Sequence, residues 1–182
     1  MCIRDSNNMD FATASTLPIA LATMHNAIVT IGNFSKGQTI LIQGASSGVG
    51  LMGLQIAKLL GAKLVIGTST KPEKFVKLKS IGADLVVNSK DKDWVDHVLQ
   101  VTNNEGVDLI IDQLSGYTIN ENMRASKVKG TIVNVGRLAG GNTEFNCDLH
   151  ALRRINYRGV TFRTRSINEI RDVYSKMWND LG

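Results

Sequence analysis

Thr39–Gly50, TILIQGASSGVG, runs directly into Leu51–Thr68, LMGLQIAKLLGAKLVIGT. The first four residues are β-branched or apolar and read as a short buried strand. A turn of Gly, Ala and Ser follows, then an apolar helix, then a second buried strand. The small side chains matter because a diphosphate reaches main chain only where no side chain blocks it. The N–H groups that open the helix then face the phosphates, and the helix dipole favours their charge. The stretch therefore implies the first βαβ unit of a dinucleotide-binding sheet.

Outward from this unit the chain keeps the same rhythm. Phe11–Ile31 reads as a helix, with Pro18 early and Gly32 just past its end. Strand 39–43 leads to a helix over 48–60, closed by Gly61, and a strand over 64–67. Pro72 opens a helix to Ser80, a third strand spans 84–88, and Asp91–Val101 forms a helix with Trp94, Val95, Val98 and Leu99 on one face. Val107–Asp112 is strand four, Ile119–Ser126 a helix, Thr131–Val135 strand five and Gly159–Thr164 strand six. Ile167–Leu181 is the last helix, aligning Ile170, Val173, Met177 and Leu181. Strands alternating with helices imply a parallel sheet covered on both faces. The predicted fold is α/β, a doubly wound (Rossmann) six-stranded parallel sheet of order 3-2-1-4-5-6.

The 182 residues suffice for one domain with a real core. No unbroken apolar run approaches about 18 residues, so no membrane span is expected. The two cysteines are too few for a disulfide framework or a cysteine zinc cluster, which suits a reducing, cytoplasmic setting. The net charge of +5 mildly favours anionic ligands but is spread along the chain.

The glycine fingerprint falls on Ala45, Ser47 and Gly50, with Gly48 as a further small residue. Gly50 is expected to let the helix pack closely on strand one. Gly48 and Val49 are expected to donate main-chain N–H groups to a diphosphate, with the Ser46 and Ser47 hydroxyls adding bonds. A plain turn with no ligand is the bland alternative. At the end of strand two, Gly67-Thr68-Ser69-Thr70-Lys71 carries no acid at its tip. An acid there would bond a ribose 2′-hydroxyl and repel a 2′-phosphate, whereas hydroxyls and lysines accept one, so the strand end favours NADPH over NADH. Glu73 runs against this and is assigned to the first helical turn after Pro72. Val135, Gly136 and Arg137 follow strand five at the carboxyl edge, where such folds bind ligands. Gly136 would let a nicotinamide ring lie flat, and Arg137 is equally an ordinary loop residue.

LPIALATMHNAI, GQTILIQGASSGVG, AKLLGAKLVIGTSTKPEKFVKLKSIGAD, NEGVDLIID, KGTIVNVGRLAG and RGVTFRTRS, in this order and spacing, resemble the zinc-independent medium-chain dehydrogenase/reductases. Within them the chain is most similar to the NADPH:quinone oxidoreductase branch, from about Phe11 to the end. The resemblance implies two lobes with an active-site cleft between them. This sequence would then hold a linker helix (7–32) from the missing barrel-like lobe and the dinucleotide-binding domain (33–182). Met1–Ser6, MCIRDS, resembles a translated sequencing adapter and is set aside as a non-native scar, Cys2 included, so that the chain would start inside a longer gene.

The resemblance further places Thr23 near the nicotinamide, although a small residue on a packed helix face reads the same way. It places Lys74 on the 2′-phosphate. The branch often carries Tyr after the Asn ending strand three, where this chain has Asn88-Ser89, leaving one adenosine contact unmatched. Zinc-dependent relatives carry Cys four residues before the threonine that matches Thr23; here Ile19 stands there and cannot ligate. His25, His97 and His150 show no ligand spacing with a Cys, so no metal is expected. The implied activity is hydride transfer to a quinone or α,β-unsaturated carbonyl, with no acid–base residue assigned. The implied partner is a second copy paired through 159–164. An alternative is an NADPH-binding relative with an RNA-binding or structural role, for which +5 is weak support and 5% aromatics weaker still. A short-chain dehydrogenase would need Tyr and Lys at a YxxxK spacing, but Tyr117, Tyr157 and Tyr174 meet Glu121, Thr161 and Trp178 there. A P-loop would need Gly-Lys-Ser/Thr and is absent.

Overall fold

The computed structural model describes residues 9–181. The MCIRDS segment lies outside them. Helix α1 (Phe11–His25) starts at Asp10, whose carboxylate accepts the Thr13 N–H at 2.9 Å. Pro18 stands inside α1 and not at its start. The helix runs on through a π-helical turn, Asn26–Ile31, so the expected single helix is continuous but underwound at its end.

Then come β1 (Thr39–Ile42), α2 (Gly48–Leu59), β2 (Leu64–Thr68), a 3₁₀ turn at Pro72–Lys74, α3 (Phe75–Ile81) and β3 (Leu85–Val87). The second half holds α4 (Trp94–Val101), β4 (Val107–Asp112), a 3₁₀ turn at Gly116–Thr118 and α5 (Ile119–Ala125). It closes with β5 (Ser126–Asn134), α6 (Cys147–Arg153), β6 (Asn156–Gly159) and α7 (Ile167–Leu181).

The strands lie parallel in the order β3-β2-β1-β4-β5-β6. In β1, Ile40 and Ile42 face a core built with Met24, Leu54 and Leu78 of α1, α2 and α3. Leu41 faces the other core, with Trp94 and Val98 of α4 and Met123 of α5. In β4, Leu109 and Ile111 join the first core and Ile110 the second. Both faces of the central strands are thus covered, which is why their sequences are apolar throughout instead of alternating. The Asp108 carboxylate accepts the Thr39 N–H and hydroxyl at 2.8 Å each and so sets the β1–β4 register. Val173 and Met177 of α7 pack on Ala22 of α1, and Asp180 meets the buried His25 Nε2 at 2.7 Å.

Three expectations are corrected. Strand six lies at Asn156–Gly159, not Gly159–Thr164: the apolar run GVTFRT buries Val160 and packs Phe162 partly against α1 and α7, and the strand itself is exposed NYRG at the sheet edge. Helix α6 was not expected; it is short, its apolar residues Leu149, Ala151 and Leu152 form no regular stripe, and none of its residues is buried. Phe11–Ile31, 21 residues with a hydropathy of 1.3, is long and apolar enough by length and composition to cross a membrane. Scattered Thr, Ser, His and Asn residues break its apolar run and hide this, and 44% of the stretch is buried within the fold, as in a core helix.

Candidate nucleotide-binding site

The β1–α2 turn is held from below. Gly44 adopts φ +68°, and its N–H donates to the Thr68 hydroxyl at 3.0 Å while Ala45 N–H donates to the Thr68 carbonyl at 2.9 Å. Ser47 then caps α2, its Oγ accepting the Gly50 N–H at 3.0 Å. A Cβ on Gly50 would stand 2.6 Å from the Gly44 carbonyl oxygen and 2.7 Å from Ala45 Cα. Gly50 therefore lets α2 approach the turn itself. The glycine that packs against β1 is Gly53, whose Cβ would lie 3.3 Å from Ile42 Cδ1 and 3.2 Å from Met24 Sδ. The Gly48 and Val49 N–H groups have no acceptor among the described residues, and a Cβ on Gly48 would meet nothing within 4 Å. Two free donors at a helix N-terminus thus face open space, which suits an anion.

Beneath the turn lies a buried polar network. Thr68 Oγ1 donates to Gln43 Oε1 at 2.7 Å, and Gln43 Nε2 donates to Asn122 Oδ1 at 2.6 Å. Gln113 Nε2 donates to the Gln43 carbonyl at 2.9 Å, and Ser47 Oγ donates to Gln113 Oε1 at 2.9 Å. Two expected ligand groups change role here. Thr68 is fully buried with its proton engaged, so it supports Gly44 and does not reach a 2′-phosphate. The single proton of Ser47 goes to Gln113, so its hydroxyl has none to donate to a diphosphate. Strand-level reading sees hydroxyls at the right positions; it does not see which way β2 and the turn bury them.

At the adenosine side Ser69 is buried, and its Oγ donates to Ser46 Oγ at 3.2 Å. Lys74 is half-buried, and Lys71 and Glu73 are exposed. Asn88 is occupied locally: its Nδ2 donates to Asp91 Oδ1 at 2.7 Å, and its Oδ1 accepts the Lys90 N–H at 3.1 Å. Its amide closes the loop after β3 and is not turned toward a ligand.

Thr23, Ser47, Gly48, Val49, Val135 and Gly136 come together around one cleft of about 650 Å³. Arg137 is exposed and does not line it. Sequence reading missed Thr16, Ile19 and Ala20, which share one face of α1 with Thr23. Their helical spacing from Thr23 was the available signal. It also missed Gln113 and Leu138. No lining residue is charged. A Cβ on Gly136 would sit 2.6 Å from the Gln113 carbonyl oxygen, so glycine here first permits the loop after β5 to cross the end of β4.

Asp112, at the end of β4, is buried. Its Oδ1 accepts the Leu114 and Ser115 N–H groups at 2.9 Å each, while Oδ2 has no partner. Burial pushes its carboxyl above the ordinary range, against those two N–H bonds. Ser115, at φ +55°, donates to the Gly136 carbonyl at 2.9 Å and accepts from Asn134 Nδ2, joining the loops after β4 and β5.

Residues 48–179 match the profile of a family described as zinc-binding dehydrogenase. The highly reducing polyketide synthase lcsB of Purpureocillium lilacinum is 32% identical over 139 residues, covering 75% of this chain and 6% of that protein. The Escherichia coli quinone oxidoreductase complexed with NADPH superposes with a TM-score of 0.84 at 20% identity, over 97% of this chain and 55% of that one. CurK enoyl reductase superposes with a TM-score of 0.80 at 24% identity, over 96% of this chain and 53% of that one. The chain thus spans a small fraction of the polyketide synthase and about half of each solved relative. These two structural likenesses establish the fold.

Proposed function

The chain belongs to the zinc-binding dehydrogenase family, among the medium-chain oxidoreductases, and on that premise we propose that it is the cofactor-binding part of an NADPH-dependent reductase of quinones or α,β-unsaturated carbonyl compounds. The observation that carries the reading is the pair of free N–H groups on Gly48 and Val49, opening onto a cleft without a charged side chain.

These two residues would hold the diphosphate. Ser69 follows β2, where an acid would be needed to prefer NADH, with Ser46 of the β1–α2 turn beside it and Lys74 in the next turn to supply the cation for a 2′-phosphate. Thr23, Val135 and Gly136 would border the nicotinamide. When bound, the nicotinamide supplies the hydride. The protein orients the ring, excludes water and offers an uncharged surface of Ile19, Ala20, Met52 and Leu138 to an apolar acceptor. The structural relatives named for quinone and enoyl reduction support this substrate class.

Residues 9–181 do not fit the metal in the family's description. Among them no three His, Cys, Asp or Glu side chains gather to hold an ion, and Cys147 is exposed and free. Pairing of two copies through the outer edge of β6 belongs to the same proposal, at Asn156–Gly159 and not beyond it.

Titration of the folded chain with NADPH and NADH tests the reading. NADPH is expected to bind more tightly, and quinones and enones, not simple alcohols, are the acceptors to assay. Failure of a folded chain to bind either nucleotide overturns it.

A further inference from the structure

Resting on the nucleotide reading above, we infer that Gln113 is a positioning residue for the cofactor's diphosphate. Its carboxamide fixes the Ser47 hydroxyl and thereby the aim of the Gly48 and Val49 N–H groups. Gln113 is the first residue past β4 and is 4% exposed. Its Nε2 meets the Gln43 carbonyl at 2.9 Å and the Gly44 carbonyl at 3.4 Å, so the amide has one orientation: only the NH₂ end can face two carbonyls. Oε1 is left facing Ser47 Oγ at 2.9 Å. The Ser47 proton is thereby committed, and a lone pair of the same oxygen is held toward the Gly50 N–H at 3.0 Å.

One side chain thus ties three consecutive parts of the mouth: the end of β1, the glycine of the turn and the cap of α2. The main chain of Gln113 extends the tie. Its carbonyl accepts the Leu138 N–H at 3.1 Å and lies against Gly136. Gln113 therefore sets the separation between the diphosphate mouth and the loop after β5, the two walls of the cleft it lines.

The test is a double-mutant cycle on the whole chain with Gln113→Met, Ser47→Ala and both together, titrated with NADPH and with adenosine 2′-monophosphate, which lacks the diphosphate. Methionine keeps the volume and removes the amide. Gln113→Met should weaken NADPH roughly tenfold, the scale of a lost buried hydrogen-bond pair. It should leave the monophosphate within about twofold, the usual scatter of independent effects. If Gln113 acts through Ser47, the double variant is no weaker than the weaker single one. NADPH binding unchanged in Gln113→Met, an equal loss for both probes, or losses that multiply in the double variant would each overturn the assignment. If Gln113→Met does not fold, Gln113→Asn, too short to span both carbonyls and Ser47, takes its place in the cycle. A folded wild-type chain that binds no NADPH overturns the nucleotide reading itself, an outcome distinct from these.

Discussion

Replacing Gly48 by Ala separates stability from binding. A Cβ at Gly48 meets nothing within 4 Å, and the residue opens a helix without a left-handed φ, so the methyl is accommodated at no steric cost. Ala lowers the entropy of the unfolded chain, which should stabilise the fold by about 0.4–1 kcal/mol and raise Tm by about 1–4 °C. The same methyl enters the space before the two free N–H groups. Forcing a diphosphate back until one charge-assisted bond is lost costs about 1.5–3 kcal/mol, or roughly 10- to 150-fold in Kd. Gly50→Ala is the contrast. Its Cβ would sit 2.6 Å from Gly44 O and 2.8 Å from Ala45 C, both main chain that cannot swing away, so it should destabilise by about 1–3 kcal/mol. Urea unfolding followed by the buried Trp94, with NADPH titration of each folded variant, reads both quantities. Gly48→Ala binding NADPH as tightly as the parent, or proving less stable than Gly50→Ala, would refute the placement of the ligand at this helix mouth.

Lys74→Ala should weaken NADPH by about 2- to 5-fold and leave NADH unchanged, the scale of a partly exposed ion pair; equal losses in parallel titrations contradict its role. Thr68→Val removes the acceptor of the Gly44 N–H and the donor to Gln43, both buried, and should cost about 1–3 kcal/mol in denaturant unfolding. A neutral result would mean that the turn is held otherwise. Asp112 gives a pH signature. Its folded carboxyl is raised above 3.8 by burial, so from that pH up to the raised value the fold binds the proton more tightly than the unfolded chain. Stability therefore falls as pH rises through this window, and Asp112→Asn should lack that part of the slope in unfolding midpoints measured against pH. Identical slopes for the two chains would sink the assignment.

The central unit was legible because its constraints are local. Gly44 must take a positive φ, Gly50 must meet main chain, and β1, β2 and β4 are apolar because both faces are covered. The periphery was not. β6 is held by main-chain pairing to β5 and displays NYRG to solvent, so hydrophobicity pointed past it to Val160. α6 has no buried residue from which a period could be read. β5 begins at Ser126, five residues before its apolar core, with Lys129 at φ +65° where the pairing with β4 shifts register. In the site, the sequence shows the polar groups of Ser47, Thr68 and Asn88, but the partners that engage them are Gln113, Gln43 and Asp91, two of them distant in sequence. Thr16, Ile19 and Ala20 could be grouped with Thr23 by helical spacing, but that their face of α1 lies beside the mouth of α2 is a tertiary fact.

The pairing of β1 with β4 spans 69 positions between Thr39 and Asp108. On a ribosome, β1, β2 and β3 are therefore complete well before the strand that closes the flank of β1 has been made. Until then Ile40, Leu41 and Ile42 present an open hydrogen-bonding border on an oily ribbon. Nascent chains whose emerged part ends between residues 90 and 105 should consequently recruit chaperones or self-associate, and those whose emerged part extends past Asn134, where β5 covers the far edge of β4, should do so less.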